Sequence, residues 1–246
     1  MSMFDNLEVE SGIQKVEDTL GGFAKIEETG LNDFVIKKAY AGQSSGGAYS
    51  ISLELEREDK ATLRVTEYIT SGAAKGCKNY YIDKSGNKQY LPGYNKMHSL
   101  DVLLTGADKP YPSTTEGKVM LWDNDLKKEI PQEKQIISQW LGKKVKALVM
   151  KKLEDKQVKG QDGNYYPTAE IKEFYEVQHF LDADSGQTLN ERTAGVNGFK
   201  DKWLKKFDSS YVHDKRNLSK NTVQSEAGST PNATAQQPSE DSPFSN

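Results

Sequence analysis

The 246-residue chain has little of what builds covalent or metal-held frameworks: one cysteine, Cys77, and three histidines, His98, His179 and His213. A single thiol excludes an intramolecular disulfide, and the scattered histidines give no metal-ligand spacing, so no metal or other cofactor is expected. No apolar run reaches the roughly 18 residues of a membrane helix. The opening MSMFDNLEVE is acidic where a secretory signal would be basic and then apolar. These features predict a soluble protein of a reducing, cytoplasmic compartment with no membrane contact.

Catalytic signatures are also scarce. The glycine-rich stretches 42–47 and 72–76 lack the Gly-Lys-Ser/Thr ending that sets a lysine on phosphates and a hydroxyl on Mg²⁺. Gly and Ser turn preferences make both of them loops. Asp123, Asp125 and Glu129 offer carboxylates for a metal, but a nuclease-type site needs further acids from distant positions, and a solvated turn between Trp122 and Lys127 accounts for them.

What is present begins with the charge distribution. The net charge is only −3, yet residues 1–60 carry 6 basic and 12 acidic side chains while residues 72–165 carry 17 lysines against 11 acids. A basic middle thus sits between acidic ends. From 217 to 246 the chain is nearly all Ser, Thr, Asn, Gln, Ala, Gly and Pro. Such a segment buries too little apolar surface to offset its ordering entropy, so a disordered, mildly acidic tail is expected there. Residues 1–216 are left as one domain, opening on an acidic segment at 1–20.

Period-two alternation marks strands at 33–41, 48–58 and 61–70, the last two forming a hairpin through the turn at 58–60. A second hairpin is predicted from 143–153, with Val145, Ala147 and Val149 inward and lysines outward, returning at 166–181. Helical spacing predicts helices at 94–105 (Met97, Leu100, Leu104), at 131–141 (Ile136, Ile137, Trp140, Leu141, with Pro131 in the first turn) and at the C-terminal stripe Val196, Phe199, Trp203, Phe207. The expected fold is mainly β with added helices: an OB-like five-stranded antiparallel barrel, helical insertions and a C-terminal helix.

The recurring chemical feature is tyrosine interleaved with lysine. Lys78, Tyr80, Tyr81, Lys84, Lys88, Tyr90, Tyr94 and Lys96 fall close together, and Lys143, Lys144, Lys146, Lys151, Lys152, Tyr165 and Tyr166 belong to the second hairpin. Lysines follow a phosphate backbone by charge, and rings stack on unpaired bases for roughly 1–3 kcal/mol each whatever the base. The same residues also serve ordinary structural ends, since strand tyrosines often edge a core and outward lysines are often simply solvated. Trp140 and Trp203 are expected to point inward.

VEDTLGGF, NYYIDKSGNKQYLPGYNKMHSLDVLLTG, LGKKVKALVMKKLE, YYPTAEIKEFYEVQHFLDADSG and GFKDKWLKKF, taken in order and spacing, resemble the single-stranded DNA-binding proteins of tailed bacteriophages, in particular the podovirus type with an OB-fold core. The resemblance implies sequence-independent coating of single strands in phage DNA replication and recombination, in the host cytoplasm, without a cofactor. It also implies a flexible tail that contacts phage or host replication, recombination or transcription proteins. SEDSPFSN supplies Glu240, Asp241, Pro243 and Phe244 for that role, but has few acids and carries Ser245 and Asn246 beyond the ring. Two other classes stay open: an adaptor that uses an OB-like domain for protein contacts, and an enzyme of unrecognised type.

Overall fold

The computed structural model describes residues 24–217; the segment 1–20 and the tail residues Glu240, Asp241, Pro243 and Phe244 lie outside them. The fold is mainly β. Strands β1 (Gly30–Gln43), β2 (Tyr49–Glu56) and β3 (Thr62–Tyr68) form a meander whose inward set, Ile36, Ile51, Leu53, Leu55, Leu63 and Val65, is buried, as the alternation of one covered face requires. β4 (Tyr80–Ile82) and β5 (Lys88–Tyr90) make a separate two-stranded ribbon. Helix α1 (Pro92–Thr105) follows, with Pro92 at its first turn and Met97 and Leu100 buried.

β6 (Thr115–Asp123) and β7 (Lys128–Ile136) come next as a hairpin, then β8 (Lys144–Lys159) and β9 (Tyr165–Leu181) as a longer one. Two short helices, α2 (Leu189–Ala194) and α3 (Phe199–Lys206), and a parallel edge strand, β10 (Val212–Asp214), complete the described chain.

The helix predicted over 131–141 is instead β7 and a 3-10 turn, Ser138–Trp140. Gln132, Lys134 and Ile136 alternate with exposed neighbours, which is a period of two. Pro131 faces Met120 of β6, and β1 meets β7 only at Gln135 and Ile136, so its missing N–H lies on a free edge and no ladder bond is lost. The C-terminal helix is shorter than its predicted stripe. Trp203 is buried, but Val196 precedes the helix and is exposed.

The main sheet runs β9-β8-β1-β2-β3, with helix α1 between β3 and β8 in sequence. The five strands do not close into the expected barrel, because β3 and β9 are not paired. Helix α1 packs against both and fills the opening. Its approach to β3 is close: a Cβ at Gly93 would stand 2.3 Å from the Tyr68 carbonyl oxygen. On the far side of the sheet Leu148, Met150 and Leu181 bury against Trp203, so the middle of β8 is covered on both faces rather than lysine-lined on one.

Along one edge of β1, β8 pairs with residues 30–35 and β7 with Tyr40 and Ala41. The chain between them loops inward and buries Ile137 and Trp140 completely. There Trp140 Nε1 donates to Asp101 of α1 at 2.7 Å, both side chains being buried.

Two substitutions probe this seam. Asp101→Ala strands a buried indole N–H and should cost about 1–3 kcal/mol. Gly93→Ala should cost about as much by forcing α1 off β3. Both are read as lower urea midpoints at constant slope. Acid should act as well: burial pushes His179 and His213 below their ordinary value, His213 being held down further by Lys152 and Lys215. The native state therefore binds fewer protons than the unfolded chain, and stability should fall as pH drops below about 6.5, a loss that His213→Gln should reduce in urea titrations at pH 7.5 and 5.5.

Candidate nucleic-acid interface

The β4–β5 ribbon stands on the end of β3. Ser71 N–H donates to Lys78 O at 2.7 Å and Leu91 N–H to Asn79 O at 2.9 Å, while Asp83 Oδ1 accepts the Ser85 and Asn87 amides at the tip. Register places Tyr80, Tyr90, Ile82 and Lys88 on one face and Tyr81 and Gln89 on the other. The Lys78 and Lys88 ammonium groups lie 5.8 and 5.0 Å from the Tyr80 ring centre, within cation–π range.

Tyr90, 56% exposed, packs its ring 4.9 Å from Tyr94, and Tyr94 meets Tyr111 edge-on at 5.9 Å and stacks on His98 at 5.6 Å. Burial pushes the Tyr94 and Tyr111 phenols above their ordinary range. The expected base platforms therefore divide. Tyr81 and Tyr90 are open to solvent and Tyr80 is half-buried, whereas Tyr94 is a 5%-exposed core ring that backs Tyr90 and cannot itself receive a base.

Most of the expected backbone lysines are engaged inside the molecule. Lys143 Nζ donates to Leu104 O, and Lys146 Nζ to Ala183 O with Asp33 at 3.0 Å. Lys151 pairs with Glu173 at 3.1 Å, Lys152 with Glu176 and Lys96 with Glu67. A lysine so held gives up an existing partner to reach a phosphate. Lys144 is exposed, as are Lys78, Lys84 and Lys88 around the ribbon. Tyr165 and Tyr166 are exposed too, but they lie on the projecting end of the β8–β9 hairpin, a different element, where Tyr166 OH donates to Asp162 at 2.5 Å.

The structure adds a groove that sequence reasoning missed. The β6–β7 hairpin leans over the outer face of β1, β2 and β3 and encloses about 240 Å³ between Trp122 and a floor of Tyr40, Ser52 and Thr66. Trp122 is 49% exposed. Charge in the groove is mixed, since Glu54 lies 3.2 Å from both Lys38 and Arg64. Trp122 was legible as a tryptophan at the end of the apolar run Val119, Met120 and Leu121, but its place as a wall needs the hairpin, which helical spacing concealed.

Catalytic geometry is weak by comparison. Gly42–Gly46 spells G-x-S-x-G, yet Ser44 lies in the β1–β2 hairpin loop, where its Oγ accepts the Ala48 amide at 3.0 Å; it is not on a strand-to-helix elbow. Asp123 Oδ1 accepts the amides of Asp125 and Leu126, the geometry of a turn. Among the described residues no cluster of three metal-ligating side chains occurs, and no helix is long and apolar enough to cross a membrane. A scan against protein-family models finds no match, and a search of curated proteins finds no relative.

The division of the tyrosines is testable without any ligand. Tyr94→Ala should lower stability by about 3 kcal/mol or more, as large-to-small core changes do. Tyr81→Ala should stay within about 0.5 kcal/mol of the parent chain. Equal losses in urea unfolding would place both rings in one environment.

Proposed function

We propose that this chain binds single-stranded DNA without sequence preference, through the tyrosine–lysine ribbon and the adjoining Trp122 groove, and catalyses no reaction. The observation that carries the reading is Tyr90: a solvent-open ring backed by the buried Tyr94, which Tyr111 meets edge-on, beside a Tyr80 ring flanked by two ammonium groups. An aromatic face next to cations suits bases that are unpaired and phosphates of any sequence. Duplex bases are already stacked and out of its reach.

The strand order β9-β8-β1-β2-β3 with a helix after the third strand supports an OB-like description of the domain. OB-folds take oligonucleotides across the outer face of strands two and three, which is the floor of the Trp122 groove here. The likeness to podovirus single-strand binding proteins agrees with this, and with work in phage replication and recombination in a host cytoplasm. On the same reading Glu240, Asp241, Pro243 and Phe244 present a short acidic, ring-bearing motif to replication, recombination or transcription proteins, the acids steering and the ring burying.

A fluorescence titration using Trp122 tests the reading. A dT oligomer should quench it and bind far more tightly than a duplex of equal length. Tyr90→Ala and Trp122→Ala should each cost roughly 1–3 kcal/mol, the former followed by the remaining fluorescence and the latter by anisotropy of a labelled oligomer. Lys78→Ala or Lys88→Ala should reduce the log–log salt slope by about 1, whereas Lys143→Ala should leave it unchanged. Equal affinity for duplex and single strand would reduce the surface to a generic basic patch.

A further inference from the structure

Between the ribbon and the groove, at the end of the sheet, lies an apolar pocket of about 330 Å³. Its floor is Ile51, Ile69 and Ile137, and its mouth lies between Tyr49 and Tyr111, which are 48% and 44% exposed. We infer that this pocket receives one unpaired nucleobase of the bound strand, an inference that rests on the single-strand reading above.

Continuity is the first argument. Tyr111 lines the pocket and, like Tyr90, is an exposed ring packed on the buried Tyr94. A strand stacked on Tyr90 therefore has the pocket-mouth ring Tyr111 as the next exposed aromatic, on the other side of Tyr94. Chemistry is the second. A base has two apolar faces and a polar edge, and the pocket offers apolar walls with the hydroxyls of Ser50 and Thr70 among them. Thr70 Oγ1 accepts the Tyr49 amide at 2.8 Å, which leaves its own proton to donate. The volume stands at the small end of ligand pockets, roughly 300–1,000 Å³, enough for one base and too little for a folded element.

Charge is the third argument, because the two sides of the pocket differ. On one side the pocket opens, past Tyr49 and Thr114, onto a hollow lined by Glu116, Glu133 and Lys134, with Lys118 3.7 Å from Glu133. That side is mixed in charge and offers phosphate no basic surface without a neighbouring carboxylate. On the other side lie Lys78, next to the pocket residue Cys77, and Lys109, beside Tyr111 in the smaller hollow behind it. The base enters between the tyrosines while its phosphates stay on the lysine side.

Cys77 lines the pocket and is the only thiol in the chain, so its alkylation reports occupancy. The experiment follows iodoacetamide labelling of the full chain by mass, alone and with a dT oligomer, thymidine or N-acetylphenylalanine amide, beside a separate measurement of oligomer binding. The oligomer should slow labelling about tenfold, and millimolar thymidine should do so more weakly. Thr114→Trp, which fills the mouth from an exposed position, should weaken oligomer binding about tenfold, the scale of one lost stacking contact. Thr114→Phe serves if the larger ring disturbs the β6–β7 hairpin.

An oligomer that binds while Cys77 labels at its free rate overturns the pocket and leaves the single-strand reading standing. If no oligomer binds, that reading falls, and thymidine decides the pocket alone: protection keeps a nucleobase site, and none removes it. Protection by the phenylalanine amide equal to that by thymidine assigns the pocket to a protein side chain instead. A free chain whose Cys77 resists the reagent has a closed mouth, which also overturns the inference.

Discussion

The hydrogen bond from Trp140 to Asp101 is the buried polar tie between helix α1 and the loop that joins β7 to β8, within the core that Ile137, Trp140, Met97 and Leu100 share. Strand β1 is 14 residues long, and on one edge it must satisfy its backbone with β8 at one end and β7 at the other. The connecting loop has more residues than the gap it crosses, and the excess turns inward, carrying Trp140 into the core. A buried indole N–H needs an acceptor, and a buried carboxylate needs a donor. Each supplies the other. Because Asp101 belongs to α1, the same bond fixes the helix that stands where β3 and β9 do not pair.

Both proposed binding elements hang from this arrangement. Since β7 takes the second half of the β1 edge, the β6–β7 hairpin is held over the outer face of the sheet, and Trp122 becomes a wall rather than a loose loop residue. Since α1 is held against β3 through Gly93, its first turn sets Tyr94 behind Tyr90. A ring presented to a base is useful only if it does not need ordering at the moment of binding.

The meander β1–β3 was legible because one of its faces is buried while the other, under the β6–β7 hairpin, stays polar and partly open, which writes a period of two into residues 48–70. α1 was legible for the corresponding reason at 3.6. The β6–β7 hairpin was not, since both its faces are largely exposed, and Ile136, Ile137, Trp140 and Leu141 straddle a strand end and an inward loop whose combined spacing imitates a helix. The aromatic and basic composition of the site could be read, but its assignment could not. Four tyrosines within 15 residues differ only in what packs on them. The partners of Lys143 and Lys146 are carbonyl oxygens 39 and 37 residues away, which no local pattern encodes.

That loss of lysines changes the balance of the proposed interaction. Lys96, Lys143, Lys146, Lys151 and Lys152 each hold a structural partner, so the basic middle of the sequence is partly a set of internal ties, and the excess of 17 lysines over 11 acids overstates what a phosphate can meet. Proteins that neutralise 6–10 phosphates lose roughly a thousandfold or more in affinity over a fourfold rise in salt. A surface with a few exposed cations around Tyr80 and with rings at Tyr90 and Trp122 depends on stacking instead, which salt screens little and which does not distinguish one base from another. On this reading a chain of net negative charge coats single strands without becoming a general polyanion binder: duplex DNA offers the same phosphates and withholds the bases, and the exposed lysines of the ribbon alone are too few to compensate.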